Sequence, residues 1–414
     1  MSDTIAAVST GTQVCAIGIV RMSGGKAIEI ADRLFSPVSG RKMADCEDRK
    51  LIYGKLCDEQ GRLLDICLCT ISRAPNSYTG EDTAEFQCHG SPVVLRAVLE
   101  AAFSLGARQA LPGEFTKRAF LNGRMDLSGA EAVADIIDAE TAEAARNAAG
   151  QLGGAISRRI DEIYGTLTDI SSHYHAVLDY PDEDIEDFTL ARYESDIERC
   201  TAVLESLRAS YDSGKLLHSG VPAAIVGRPN AGKSSLLNAV LGYDRAIVTD
   251  IPGTTRDTIE EKLRLGGVLL RLTDTAGIRE TDDEIERMGV TRSRRAMEQA
   301  ELVLAVIDGH REITCEDLEL IKCAERAPHG IVILSKHDLG SLSKMPETTL
   351  PVIEISSVTG EGLDKLEDTV RALFPMPVAP AGEILTNARQ FDAVSRALES
   401  MKAAGGAMRS GCTP

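Results

Sequence analysis

Eight residues constrain this chain more than any others: Gly227-Arg-Pro-Asn-Ala-Gly232-Lys233-Ser234. They match GxxxxGK[ST], follow the apolar run Ala223–Val226 and open a helical pattern at Ser235–Leu241. A loop of this kind works as a strand-to-helix turn. Its glycines let consecutive backbone N–H groups converge on phosphate oxygens, and the helix N-terminus adds the positive end of its dipole. Lys233 then reaches the terminal phosphates and Ser234 offers a hydroxyl to Mg2+. The strand before such a loop belongs to a parallel sheet. Further apolar runs at Val268–Thr273, Leu302–Ile307, Ile331–Leu334 and Val352–Ile355 alternate with helical segments, the pattern of βαβ units.

The remaining signals come in the order a GTPase needs. Asp274-Thr275-Ala276-Gly277 ends an apolar strand, which places Asp274 near magnesium and the Gly277 N–H near the γ-phosphate. Gly253-Thr-Thr-Arg-Asp257 lies where a switch loop must be, so one of Thr254 and Thr255 can supply a second magnesium hydroxyl. Ser335-Lys336-His-Asp338 ends another strand, and an aspartate there accepts hydrogen bonds from guanine N1–H and N2–H that adenine cannot offer. The segment Ile355-Ser-Ser357-Val-Thr-Gly-Glu-Gly362 closes the base site through backbone N–H groups. After Asp-Thr-Ala-Gly, Ras-like enzymes carry a water-orienting Gln, and this chain has Ile278. Either hydrolysis is very slow or another group orients the water, with Glu286 the candidate. Arg256, beside Asp257, reads as a local ion pair in preference to an arginine finger.

The flanks differ in texture. Residues 1–123 mix β-like runs (Thr12–Met22, Leu63–Ile71, Thr83–Cys88) with a helix at Pro92–Gly106, an α+β domain. Residues 124–215 and 378–414 read as Ala- and Glu-rich helix, with Ser128 and Glu131 as a capping box, and 216–377 as the α/β unit inserted between them. The acidic run 179–187 reads as a solvated loop, and the Pro-rich 375–380 as a stiff linker. The 45 Lys and Arg against 63 Asp and Glu leave a net charge of −18, which excludes nucleic-acid binding over the whole surface, since phosphate neutralisation needs clustered cations. A local patch such as Arg292-Ser-Arg294-Arg295 stays compatible with that charge, although it reads first as a solvated helix face. No apolar run spans a membrane, no signal segment opens the chain, and the ten scattered cysteines read as reduced thiols filling cores, so the expected location is the cytoplasm. His173-x-His175 lies on a helix where such a pair faces different ways, which disfavours a metal site.

These motifs together resemble the TrmE/MnmE family of tRNA-modification GTPases. The resemblance rests on Gly227–Asn238, Asp250–Asp257 and Asp274–Glu280, and on flanking segments that ribosome-assembly GTPases lack: Ile19–Gly24, Asn76–Asp82, Gln87–Gly90, Leu111–Asn122 and Ile384–Arg389. It implies a Ras-like P-loop GTPase domain inserted in an α-helical domain, preceded by an α+β folate-binding N-terminal domain that forms a homodimer. It also implies a cytoplasmic enzyme that hydrolyses GTP while an FAD-dependent partner of the MnmG/GidA type and a one-carbon folate such as 5-formyl-tetrahydrofolate help to build a carboxymethylaminomethyl or aminomethyl group on C5 of the tRNA wobble uridine. The family's GTP contacts fall on Asn230, Ala231, Gly232, Lys233, Ser234, Ser235, Thr249, Asp250, Ile251, Pro252, Gly253, Thr254, Thr255, Asp274, Thr275, Ala276, Gly277, Lys336, Asp338 and Ser357. Its catalytic glutamate falls on Glu286, beside the catalytic Lys233. Mg2+ falls on Ser234 and Thr255, K+ on Asn230, Thr249, Ile251 and Thr254, and the folate on Arg21, Glu81 and Arg124.

The chain departs from the family at several points. Gly11-Thr-Gln-Val-Cys-Ala16 stands where a Pro-Gly-Arg-Gly-Gly stretch is usual; Ser335 replaces an Asn whose amide could bond both base and phosphate loop; Val358 replaces a Lys. The sequence closes on Arg409-Ser-Gly-Cys412-Thr-Pro414 where the family closes on Cys-x-Gly-Lys, so the terminal cysteine's role is not carried to Cys412. Two alternatives therefore stay open: a GTP-binding switch without modification activity, and a ribosome-assembly GTPase.

Overall fold

A computed structural model describes residues 3–11, 13–180, 190–243, 261–272, 300–340, 347–375 and 380–410. Two compact units divide the chain, Met1–Ala134 and Asp135–Pro414.

The first unit is a seven-stranded mixed sheet carrying helices on one face. Its strands are β1 (Ile5–Val8), β2 (Cys15–Ser23), β3 (Phe35–Pro37), β4 (Ile52–Cys57), β5 (Leu63–Ser72), β6 (Thr83–Gly90) and β7 (Arg108–Gln109), in the order β3-β4-β5-β6-β2-β1-β7. All neighbours are antiparallel except β1 with β7. Alternation along the strands builds the core. Val20 and Met22 on β2, Cys67, Cys69 and Ile71 on β5, and Ala84, Phe86 and Cys88 on β6 all point to one face. There they meet α1 (Ala27–Leu34) and α2 (Pro92–Ser104) through Ile30, Leu34, Leu95 and Val98. The other face receives Arg21 and Ser23 from the end of β2, beside the loop 76–82 and α3 (Glu114–Leu121). The sequence reading found β2, β5, β6 and α2; the short β1, β3 and β7, β4, α1 and α3 lie below the length at which periodicity speaks.

The helical part of the second unit opens with α4 (Leu127–Asp138), which crosses the boundary between the units. The expected capping box is corrected there. Ser128 lies inside the helix, and Asp126 accepts the Gly129 N–H at 2.6 Å, because a carboxylate just before the first turn reaches the unpaired N–H groups that a residue within it cannot. The helices α5 (Ala142–Leu152), α6 (Ala155–Asp179), α7 (Leu190–Ala209) and α8 (Tyr211–Ser219) follow. His173 bonds the Tyr193 hydroxyl between α6 and α7, a core contact within the bundle.

A six-stranded sheet interrupts the helices. Its strands are β8 (Val221–Val226), β9 (Glu261–Leu265), β10 (Val268–Leu272), β11 (Leu302–Asp308), β12 (His329–Ser335) and β13 (Val352–Glu354), in the order β13-β12-β11-β8-β10-β9. All pairs are parallel except β9 with β10. This is the Ras-like arrangement expected from the sequence, with α9 (Lys233–Tyr243), α10 (Cys315–Arg326) and α11 (Leu363–Leu373) among its described helices. Leu302 through Ile307 are all buried, as a central parallel strand covered on both faces requires. The chain then returns to the helices as α12 (Ala388–Arg409), which packs on α7 through Val394, Leu398 and Met401. The return is pinned by buried amides on α5. Asn147 accepts the Gly382 N–H at 3.0 Å and donates to the Ile384 carbonyl at 3.1 Å, and Gln151 donates to that same carbonyl at 2.6 Å. Among the described residues no helix is long and apolar enough to cross a membrane.

Candidate functional site

The phosphate loop leaves β8 at Val226, between β10 and β11, where an open α/β sheet places its ligand crevice. Its path requires glycine at the start. A Cβ on Gly227 would stand 2.4 Å from the Val306 carbonyl, so only a bare backbone can pass β11. Asn230 (φ 62°) and Gly232 (φ 99°) take left-handed conformations that curl the loop. Lys233 opens α9 and turns back, donating to the carbonyls of Gly227 at 2.7 Å and Arg228 at 3.0 Å. Burial pushes its ammonium pKa below the usual lysine range, the expected effect of desolvating a charge that has only dipoles for partners. Ser234 and Ser235 follow in the first turn.

Two side chains that the sequence reading did not single out for this task fasten the loop. The Ser335 hydroxyl, buried at the end of β12, reaches the Ala231 carbonyl at 2.5 Å and the Ile307 carbonyl at 3.1 Å. The tie between base motif and phosphate loop, expected to be lost with the missing amide, is thus kept by a hydroxyl; the longer reach toward a base is not. Arg228 ion-pairs with Glu316 at 2.8 Å and donates to Thr314 Oγ1 at 3.1 Å, holding the loop to the capping box of α10, in which Thr314 and Asp317 bond each other's backbone.

The guanine motif is assembled across β11, β12 and the segment after β13. Lys336, in a left-handed conformation (φ 61°), lays its ammonium 2.6 Å from Asp308. Although burial opposes it, the Lys336 bond and the His310 N–H hold Asp308 below the usual carboxylate range. Asp338 accepts the Ser356 hydroxyl at 2.7 Å. Ser356, wholly buried, also accepts the Thr359 N–H, so it forms the turn that carries its half-buried neighbour Ser357. Asp308 was missed by pattern reading, and Ser356 was read there for its backbone N–H and not for its hydroxyl. The one signal available was that Asp308, like Asp274, ends an apolar strand. Val358 is exposed.

Thr249, Asp250, Ile251, Pro252, Gly253, Thr254, Thr255, Arg256, Asp274, Thr275, Ala276, Gly277, Ile278, Glu286 and the Arg292–Arg295 cluster lie outside the described residues.

A second polar site sits on the face of the first sheet opposite α1 and α2, beside α3. Arg21 pairs with Glu85 across β2 and β6 at 2.6 Å, and its guanidinium lies 5.4 Å from the Tyr78 ring centroid and 5.7 Å from that of Phe115. These are cation–π distances, and they fix the direction of a long side chain. Glu81 accepts from Ser23 Oγ at 2.7 Å and from Arg118 at 2.9 Å. Arg124 is exposed, its backbone N–H bonded to Ala119 and its stem lying along Gly80. The three residues expected at a folate site are thereby gathered around the loop 76–82. Arg118, Ser23, Glu85, Tyr78 and Phe115 join them from positions that sequence spacing does not flag.

Among the described residues, Asp65, Cys67 and Cys88 bring three metal-ligating atoms within 4.8 Å of one another. Asp65 already accepts from the His89 and Ile66 N–H groups and contacts His89 Nδ1, while a bond with Cys67 and burial push the Cys88 thiol pKa up. The group is complete as a strand-end cap over two core thiols.

Comparison with known proteins follows the same outline. The family model described as GTP-binding protein TrmE N-terminus matches residues 4–124, and that described as MnmE helical domain matches residues 127–414. Proteins named tRNA modification GTPase MnmE are similar along nearly the whole chain. That of Clostridioides difficile strain 630 is 41% identical over 97% of this chain and 88% of its own length. Those of Roseiflexus sp. and Geobacillus kaustophilus are 42% and 43% identical, over 100% and 95% of this chain and 91% and 87% of their own lengths. Among solved structures, Era of Aquifex aeolicus bound to GDP and aluminium fluoride is 29% identical over 38% of this chain and 57% of its own, with a TM-score of 0.28 that is too low to carry any argument.

Proposed function

The chain belongs to the TrmE/MnmE family of tRNA modification GTPases, and from that premise we propose that it hydrolyses GTP to drive C5 modification of the tRNA wobble uridine with a one-carbon folate and an FAD-dependent MnmG-type partner. The observation that carries the GTPase part is the glycine-curled loop between β8 and α9, with its lysine turned inward and its base motif tied back to it.

In this reading the N–H groups of Asn230 through Ser235 take the β- and γ-phosphates. Lys233 exchanges the Gly227 and Arg228 carbonyls for phosphate oxygens, its charge then meeting opposite charge in a half-buried place. Asp338, steadied by Ser356, accepts guanine N1–H and N2–H, and Lys336 and Ser357 line the base. Asp274, Thr275, Ala276 and Gly277 receive the γ-phosphate side, and Glu286 orients the attacking water in the place of the missing Gln. Ser234 with Thr255 would hold Mg2+, and Asn230 with Thr249, Ile251 and Thr254 would hold K+. Oxygen-bearing side chains on the loop itself suit such hard cations, which supply positive charge beside the β- and γ-phosphates.

We read 1–123 as the folate-binding and dimerising domain, 124–215 with 378–414 as the helical domain and 216–377 as the GTPase domain, working in the cytoplasm. Arg21, held between two aromatic rings, and Glu81, held by two donors, support the folate assignment.

The test is a bacterial strain carrying this chain as its one copy, with the tRNA wobble nucleosides read by mass spectrometry. Modified uridine is expected, and its loss is expected on Glu286→Ala, with purified variant binding GTP as before but turning it over at least about 100-fold more slowly. Unmodified uridine with intact GTP turnover would favour a switch or ribosome-assembly protein instead.

A further inference from the structure

Within the second polar site one buried cation connects more groups than any of its neighbours. Arg118, on α3, is 8% exposed and makes four bonds: to the Asp3 carbonyl at 2.8 Å, to Asp3 Oδ1 at 2.7 Å, to Glu81 at 2.9 Å and to Glu114 at 3.1 Å. Arg108 closes the ring from β7 by bonding both Glu114 and Asp3. An arginine this buried is tolerated because each of its two terminal amino groups meets two acceptors. Three of its four bonds are structural: two join α3 to Asp3, the first described residue of the chain, and one reaches Glu114 a turn earlier on α3. The fourth goes to Glu81, and it shares the Oε2 atom with the Ser23 hydroxyl.

That sharing fixes the carboxylate. Two donors on one oxygen, from α3 and from the end of β2, hold one end of the Glu81 carboxylate in place, and the side chain keeps 15% of its surface open. A carboxylate held in this way accepts N–H donors of the kind shown by the 2-amino-4-oxopyrimidine edge of a reduced folate.

We propose that Arg118 is a positioning residue for ligand binding, aiming the Glu81 carboxylate at the aminopyrimidine edge of the folate without touching the ligand itself. The inference rests on the folate reading above and names the group that makes Glu81 competent for it.

The experiment is a double-mutant cycle on the full chain, with the affinity for 5-formyl-tetrahydrofolate measured by calorimetry. Arg118→Gln and Glu81→Gln are each expected to weaken binding about tenfold or more, the loss of one charge-assisted bond. The double variant is expected to be no weaker than the worse single one, because Arg118 acts through Glu81. Arg118→Lys is expected to recover part of the affinity by restoring the charge without the fork. Thermal midpoints taken alongside keep the cycle readable, since loss of folding lowers the midpoint whatever residue stands at 81. Wild-type affinity in Arg118→Gln, or losses that simply add in the double variant, would overturn the inference while leaving the folate reading in place. A wild-type chain that does not bind the folate would overturn both.

Discussion

At the scale of single residues, identity and role part company at Ser335. Side-chain type alone marks the position as a defect in a guanine motif, yet the hydroxyl is short enough to sit between the Ala231 carbonyl of the phosphate loop and the Ile307 carbonyl of β11, and to hold the loop where a longer amide is usual. Glu114 shows the opposite case, an ordinary residue in sequence with an exceptional environment. Bonds from Arg108, the Leu111 N–H and Arg118 outweigh its burial and hold its carboxyl down to about 2, from an ordinary value near 4.5. A folded-state pKa below the unfolded one stabilises the fold above pH 4.5, and that contribution fades as pH falls toward 2. Glu114→Gln should therefore be less stable than wild type by about 2 kcal/mol at pH 7. The gap should narrow steadily between about pH 4.5 and 3. Hydrogen exchange of amides in β1, β2 and α3 reads the unit concerned, and a gap independent of pH would show that the lost shape, and not the charge, was responsible.

At the scale of elements, what the sequence announced was what periodicity or a fixed loop can announce. The buried run of β11 and the strand–loop–helix around Lys233 were legible because their residues have few other ways to be satisfied. The edge strand β9, Glu-Lys-Leu-Arg-Leu, was not, since an alternating charged strand looks like a loop until its antiparallel partner β10 is known. The pin between α5 and the segment 382–384 was illegible for a different reason: Asn147 and Gln151 sit in an Ala-rich helix as ordinary polar residues, and their partners lie more than 230 positions away. Removing the Asn147 amide leaves the buried Gly382 N–H without its partner and the Ile384 carbonyl with Gln151 alone. Asn147→Ala should cost about 2–4 kcal/mol, more than the 1 kcal/mol typical of point substitutions. It should also free the start of α12 first. Limited proteolysis near 380–387 checks this, and cleavage no faster than in wild type would show that the hydrophobic contacts of α12 suffice to hold the segment.

At the scale of the whole molecule, the net charge of −18 bounds how tRNA can be held. Each phosphate neutralised by a Lys or Arg steepens the dependence of log affinity on log salt by about 0.7–0.9. A chain with this acid excess has few cations to spare, and many that the fold describes are already engaged: Arg21 with Glu85, Arg118 with three partners, Arg228 with α10, Lys336 with Asp308. Whole-surface binding would have to break such pairs, each broken pair leaving an unpaired carboxylate facing the phosphates. The phosphate contacts of a modification complex must then come from a confined patch or from the FAD-dependent partner proposed above. Filter binding of tRNA across about 50–300 mM salt should give this chain alone a shallow slope, of magnitude below about 3, steepening when the partner is added. A slope near −6 for the chain by itself would place the main tRNA grip on this protein and would send the search for it to the Arg292–Arg295 cluster.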